Sequence, residues 1–328
     1  MNRCNLLFTS SGRRVELIQL FRFALDELAW DGLIVTADMS ARAATAYVSD
    51  VHELVPSVSS PDYIPRLLEL CQQHQIHLLI PLIDWELSLL AKHQADFERV
   101  GTKVAVSTQE TCDLCFDKRQ LSRYLKTIGL QSPALYNADE IDGAQFPVFL
   151  KPFDGSASRD ARIIRNSSEL KFFVDTIPNA LIQEYVSGRE YAIDGVVDQD
   201  GNVVCVVPRR QFEARSGEVS KGATERNSAL IELGSRVLAN LPGAFGCFTM
   251  DCIVADDGQV YVLDLNARFG GGMPLSIRSG ANFPRWLLEI CAGTPLHTTS
   301  QNWANGFMML RYDQAIYVPA TSEGGLVR

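Results

Sequence analysis

Along the first 108 residues, short apolar runs alternate with stretches whose apolar positions recur every three or four residues. Leu6–Thr9, Leu33–Ala37, Leu78–Ile83 and Val104–Val106 read as strands, because short unbroken apolar runs suit a sheet covered on both faces. Val15–Leu28 reads as a helix with Leu17, Ile18, Phe21, Leu25 and Leu28 on one side. Asp62–Gln73 and Glu86–Phe97 read the same way. Alternation of this kind predicts a parallel sheet with helices on its faces. Ligands bind such sheets at the carboxyl ends of the strands, where Ser10-Ser11-Gly12-Arg13, Asp38 and Asp84 fall. The first strand is not followed by G-x-G-x-x-G, and G-x-x-x-x-G-K-[ST] is absent, so a nicotinamide cofactor is not expected. Asp38 and Asp84 serve equally well as helix caps.

From Ser107 to Ile128 the pattern is helical, with Gly129 at the C′ position and Ser132-Pro133 as a stop. Beyond Pro147 it changes to paired strands. Phe146–Lys151 and Leu181–Val186 read as strands, and Glu190–Asp198 with Asn202–Pro208 as a hairpin around Asp200-Gly201. A polar segment from Arg209 to Asn227 carries Arg209, Arg210, Arg215, Lys221 and Arg226. Ser228–Leu241 reads as a helix, and Pro284–Cys291 as the last one. From Tyr312 the pattern thins, and Glu323-Gly324-Gly325 reads as a disordered end. No internal repeat is visible.

Between these two helices lies a second hairpin, Phe248-Thr249-Met250-Asp251 running into Tyr261–Arg268. Asp257-Gly258 favours a two-residue turn that sets Asp256 opposite Gln259. Counting back puts Asp251 opposite Asp264, with Asn266 on the same face. Two carboxylates facing each other repel unless a cation lies between them. Mg²⁺ suits, since it takes one or two carboxylates plus substrate phosphates. Arg268 follows as a partner for an anion. Acidic residues on a solvent-facing strand pair give the same spacing.

Other residues suit phosphate chemistry. Lys151 ends a strand, and Gly155-Ser156-Ala157-Ser158-Arg159 after it offers backbone N–H groups. Lys118 lies beside a helix and reads alone as a solvated lysine. The strand around Glu184 can present backbone donor and acceptor groups to an adenine edge, and Glu190 can accept from ribose hydroxyls. Both read otherwise as ordinary exposed acids.

Composition narrows the class. The chain has 328 residues, 46% hydrophobic and 21% charged, enough for two or three units with real cores. A net charge of −9 argues against a nucleic-acid partner. No run suits a membrane span and the start does not read as a signal peptide, so the expected location is the cytoplasm. Cysteines stand at 4, 71, 112, 115, 205, 247, 252 and 291. Cys112 and Cys115 form a C-x-x-C without the second pair that zinc needs, so free, reduced, structural thiols are expected.

Taken in order, these pieces resemble the ATP-grasp superfamily. Asp117-Lys118 precedes a helix that ends at glycine, followed by Pro147-Val148-x-x-Lys151-Pro152 and the Gly/Ser loop. Then come Gln183-Glu184-Tyr185-x-x-Gly188-x-Glu190-Tyr191, Asp251, and Asp264-x-Asn266-x-Arg268. Thr9-Ser10-Ser11-Gly12-Arg13-Arg14 and Pro81–Leu87 resemble the preceding domain of the branch similar to the carbamoyl-phosphate synthase large subunit. The resemblance covers about residues 3 to 311. It implies a fold that is α/β then α+β: an N-terminal Rossmann-like parallel sheet over 1–108, then a two-subdomain ATP-grasp fold. The small lid subdomain with its linker helix would span 109–183, the large subdomain with the metal site 184–311, and a tail 312–328.

The resemblance further implies ATP and one or two Mg²⁺, with Mn²⁺ as a substitute. Lys118, Lys151, Ser156 and Ser158 would hold the phosphates. Glu184, Tyr185 and Val186 would meet adenine, and Glu190 the ribose. Asp251, Asp264 and Asn266 would hold metal, with Arg268 near the transferred group. Arg210, Arg215 or Lys221, near the acceptor side in this architecture, would bind the substrate carboxylate or its phosphate. Two departures stand out: Asp264 replaces the family's usual Glu, and Ala157 and Asp160 replace two loop glycines. The implied activity is an ATP-dependent carboxylate–amine (or thiol) ligase acting on small molecules; the sequence does not fix the oligomeric state, and a homodimer is the working expectation. The alternatives are a carbamoyl- or carboxy-phosphate-forming enzyme and a nucleotide-binding module without turnover.

Overall fold

The structure, a computed structural model, describes residues 3–136, 145–154, 160–215, 217–296 and 302–319. Three sheets organise the chain. The first is built from β1 (Leu6–Thr9), β2 (Ile34–Asp38), β3 (Val51–Leu54), β4 (Leu78–Pro81) and β5 (Lys103–Val104). All pairings are parallel, in the order β3-β2-β1-β4-β5. Helices α1 (Val15–Glu27), α2 (Tyr63–Gln73), α3 (Leu87–Lys92) and α4 (Gln94–Arg99) accompany it.

Side chains alternate across a strand, so each apolar run feeds two cores. Leu6 and Phe8 pack in one cluster with Leu17, Ile18 and Phe21 of α1. Leu7, Val35 and Leu79 pack in the other with Tyr63, Leu67 and Leu70 of α2. The short β3 was not expected, because Val51-His52-Glu53-Leu54 carries a charge at its centre. The helix expected over Glu86–Phe97 is broken at His93, whose ring bonds Asp96 at 2.7 Å.

The second sheet has the order β6-β9-β7-β8, all antiparallel: β6 (Leu135–Tyr136), β7 (Val148–Pro152), β8 (Arg162–Ile164) and β9 (Ala180–Glu184). With α7 (Ser167–Thr176) it encloses its own small core of Val148, Leu150, Ile164, Leu170, Ile177 and Ile182. The helical stretch before it is two helices, α5 (Gln109–Phe116) and α6 (Lys118–Thr127). Asp117 separates them in an extended conformation, and its carboxylate caps α6 by accepting from Arg119 N–H at 2.9 Å.

The third sheet has six strands in the order β14-β13-β10-β11-β12-β15. They are β10 (Gly188–Val197), β11 (Val203–Arg215), β12 (Glu218–Thr224), β13 (Gly246–Ala255), β14 (Val260–Asn266) and β15 (Met308–Leu310). Helices α8 (Ser228–Asn240), α9 (Met273–Arg278) and α10 (Phe283–Ala292) belong to this part. The polar segment after Pro208 is therefore mostly strand. Val206 and Phe248 share a cluster with Leu7, while Val207 and Phe269 share one with Phe8, so the first and third sheets are joined through both cores. All eight cysteines are free and buried. Among the described residues no helix is long and apolar enough to cross a membrane.

Candidate active site

The hairpin β13–β14 reaches the expected pairing by an unexpected route. Its loop has three residues, Asp256-Asp257-Gly258: Gly258 N–H donates to Ala255 O, Ala255 N–H donates to Gln259 O, and Gly258 has φ +85°. That loop shifts the register by one, so Cys252 faces Val262. A bulge then adds Leu263 to β14, the register recovers, and Asp251 faces Asp264.

The three oxygen-bearing side chains are held differently. Asp251 Oδ1 accepts from Gln211 Nε2 at 3.4 Å. Burial, reinforced by the charge of Asp264, pushes the Asp251 carboxyl up to about 7. Asp264 Oδ2 lies 3.2 Å from Lys118 Nζ, and its Oδ1 accepts from Leu265 N–H at 3.0 Å. Asn266 Oδ1 accepts from Arg268 Nη2 at 3.2 Å, and its amide donates to Thr249 O. Arg268 Nη2 also bonds Asp84 at 2.7 Å, which ties the third sheet to the end of β4.

Lys118 opens α6 and is buried, and its backbone N–H bonds Phe153 O just beyond β7. Lys151 Nζ reaches the Leu263 carbonyl at 3.4 Å, and burial lowers its pKa. Lys118, Lys151, Glu190, Asp251, Asp264, Asn266 and Arg268 line one cleft of about 460 Å³ between the second and third sheets and the loop after β4.

The remaining expected residues lie elsewhere. Glu184 closes β9, and its carboxylate accepts from Ala134 N–H at 3.1 Å. Tyr185 and Val186 form the connector to β10 and are not among the cleft's lining residues. Arg215 pairs with Asp313 at 2.9 Å and is 68% exposed; Lys221 pairs with Glu213 at 2.6 Å and is 51% exposed. Neither lines the cleft: Arg209 and Gln211 point inward, and the register shifts after Gln211 turn Ala214 rather than Arg215 to the cleft, while Lys221 lies exposed on β12. Arg210 packs over the Phe212 ring on the other side. Ser156 and Ser158, with Ala157, lie outside the described residues. Asp160 is described, with φ +57°.

Residues that sequence reasoning did not single out complete the far end of the cleft. Arg14, from the basic pair after β1, is brought beside Arg268; burial first, then that neighbour, lowers its guanidinium to about 10. Arg311 donates to Glu218 at 2.9 Å and to Gly271 O at 2.7 Å. Arg209 makes a bidentate bond to Asp194 at 2.6 and 2.9 Å, fully buried, and Asp194 also accepts from Thr249 and Ser276. The three glycines after Phe269 permit this crowding. A Cβ on Gly270 would stand 2.3 Å from Thr249 Oγ1, and one on Gly272 2.5 Å from Arg209 Nη1.

Two buried guanidinium nitrogens in this end, Arg209 Nη1 and Arg268 Nε, have no hydrogen-bond partner among the described residues. Unmet donors on cations suit an anionic ligand. Two opposed carboxylates with an amide oxygen suit a hard divalent cation. Among the described residues no group of three or more His, Cys, Asp or Glu forms such a site, so phosphate oxygens and water would complete the coordination.

The chain is similar to known proteins in sequence and in fold. Residues 6–105 match the PylC-like N-terminal domain family, and residues 115–272 match the ATP-grasp domain family. The chain belongs to the ATP-grasp superfamily, with a PylC-like N-terminal domain ahead of the ATP-grasp domain. It is 27% identical over 188 residues to a D-alanine–D-alanine ligase of Petrotoga mobilis, covering 52% of this chain and 62% of that protein. It is 26% identical over 217 residues to the carbamoyl phosphate synthase large chain of Pyrococcus furiosus, covering 60% of this chain and 20% of that one. The fold is similar to that of biotin carboxylase from Campylobacter jejuni, solved as a β-γ-ATP complex, with a TM-score of 0.74 at 15% identity over 92% of this chain and 73% of that one. The chain thus spans under two thirds of the Petrotoga ligase and a fifth of the synthase chain.

Proposed function

We propose that the chain is an ATP-dependent, ADP-forming ligase that activates a small-molecule carboxylate as an acyl phosphate and couples it to an amine. The observation that carries this reading is the meeting of Asp251, Asp264 and Asn266 with Lys118 and Lys151 in one cleft. Phosphoryl transfer asks little covalent chemistry of a protein. It needs phosphates positioned and charge neutralised, and two buried lysines beside two carboxylates supply that.

The nucleotide lies between the second and third sheets. Lys118 and Lys151 contact its phosphates, the connector from Glu184 to Val186 meets adenine through its backbone, and Glu190 faces the ribose. Asp251, Asp264 and Asn266 hold one or two Mg²⁺ ions, whose chemistry is to neutralise charge on the transferred phosphoryl group. The substrate carboxylate occupies the far end, facing Arg14, Arg268 and the unpartnered donor of Arg209. A carboxylate oxygen attacks the γ-phosphorus and ADP leaves; the amine then attacks the carbonyl carbon and phosphate leaves. The second sheet, with a separate small core, acts as the lid. This gives a small subdomain over 109–183 and a large one over 184–311.

ADP release in the presence of Mg²⁺, ATP and pairs of small carboxylates and amines tests the reading. Release that needs both acceptors supports a ligase. Tight ATP binding with no release under any pairing supports the nucleotide-binding alternative instead.

A further inference from the structure

The first sheet carries a cavity distinct from the nucleotide cleft. Its order, β3-β2-β1-β4-β5, reverses direction between β1 and β4, and a crevice opens outside the strand ends at such a point. A cavity of about 650 Å³ fills that crevice. Ser10 after β1 and Ile83 after β4 flank the reversal, and Val55 and Val58 approach from the end of β3. The walls are mostly apolar, from Val55, Val58, Leu89 and the ring of Trp85. Trp85 is 53% exposed and Met39 at the rim 67%, so apolar surface is left open to solvent.

One carboxylate enters this apolar space. Asp38 Oδ2 accepts from Gly12 N–H at 2.9 Å, and Oδ1 accepts from Ser40 N–H at 3.0 Å. These bonds fix its orientation, and each oxygen keeps a second lone pair. The lining residues Ser10, Tyr63 and Ile83 are fixed from behind: fully buried Glu86 accepts from Ser10 Oγ, Tyr63 Oη and the N–H groups of Leu82 and Ile83. A nucleotide phosphate does not suit the pocket, since the anion would repel it and no glycine-rich turn receives it.

The pocket adjoins the nucleotide cleft. Ile83 and Trp85 line both, and Asp84 between them holds Arg268 at 2.7 Å. We infer that this crevice binds a substrate with an ammonium group on an apolar body, its charge paired with Asp38 and its apolar part against Val55, Val58 and Trp85. The use made of the bound amine rests on the ligase reading; the binding itself does not.

The test uses the full chain and follows fluorescence at Trp85, with Trp85→Phe to assign the signal. The probes share one apolar chain: n-hexylamine, 1-hexanol and hexanoate. Hexylamine is expected to bind about tenfold or more tighter than hexanol, a difference set by one charge-assisted hydrogen bond, and hexanoate not to bind. Asp38→Asn removes the preference for the amine over the alcohol, and Ser57→Trp at the exposed rim blocks both. Equal binding of amine and alcohol, no saturation by hexylamine, or a preference that survives in Asp38→Asn overturns the inference. Magnesium–ATP binding is measured in the same samples. Failure of magnesium–ATP to bind while hexylamine still binds counts against the ligase reading and leaves the pocket assigned.

Discussion

Lys151 Nζ lies 3.4 Å from the carbonyl oxygen of Leu263, the residue that the bulge adds to β14. A regular ladder would engage that carbonyl in pairing; the bulge frees it to hold the lysine. The contact joins the second sheet to the third across the cleft, where a nucleotide's phosphates would displace it. Lys151→Met is expected to lower kcat by about 100-fold or more, the usual effect of removing one charge-stabilising donor. Its Tm should stay close to the parent's, because Met fills the same buried space without a charge to desolvate. An unchanged kcat would remove Lys151 from the phosphate site.

Asp251 sets a pH dependence. Its carboxyl is pushed up to about 7, against about 3.9 in an unfolded chain. The folded state therefore holds this proton more tightly than the unfolded one. The stability contributed by the group is complete below about pH 4 and is lost as pH rises through 7. A metal-bound nucleotide needs the ionised carboxylate, so its affinity should run the other way. Calorimetric titration of magnesium–ATP is expected to show affinity falling about tenfold per unit below pH 7 and levelling above it. Asp251→Asn should flatten the slope; a flat profile in the parent protein would contradict the assignment.

The Arg209–Asp194 pair is fully buried, so breaking it leaves an uncompensated charge. Arg209→Met is expected to cost about 3–5 kcal/mol in urea unfolding, although Asp194 keeps Thr249 and Ser276 as donors. A loss under about 1 kcal/mol would mean that the pair is a surface-like contact.

Gly272 tests the crowding at the far end. A Cβ there would stand 2.5 Å from Arg209 Nη1, and that guanidinium is held by Asp194 on its other side. Gly272→Ala should therefore raise the KM of the carboxylate more than that of ATP. Equal Michaelis constants in variant and parent would show that the arginine does not face the substrate.

Much of the fold was legible because its signals are local. Leu6–Thr9 and Leu78–Pro81 are buried on both faces, and a run of apolar residues says so without any tertiary knowledge. The acid pair was legible for a less secure reason. Counting from a two-residue turn put Asp251 opposite Asp264, but the loop has three residues and the Leu263 bulge restores the count. Composition marks neither compensation. Arg14 and Arg311 were not legible as site residues, since they are 297 positions apart and meet only through the packing of the first sheet against the third. The strand character of 209–227 was hidden for a physical reason. Strands that wall a polar cleft carry polar side chains on the face that periodicity expects to be apolar.

The most direct test of the central claim is anomalous scattering from crystals grown with Mn²⁺ and a non-hydrolysable ATP analogue. The expected result is one or two metal peaks within about 2.0–2.3 Å of the carboxylate oxygens of Asp251 and Asp264, with the analogue's terminal phosphates beside Lys118 and Lys151. Metal and phosphates found away from these carboxylates, with Asp251 and Asp264 still facing each other unbridged, would contradict it.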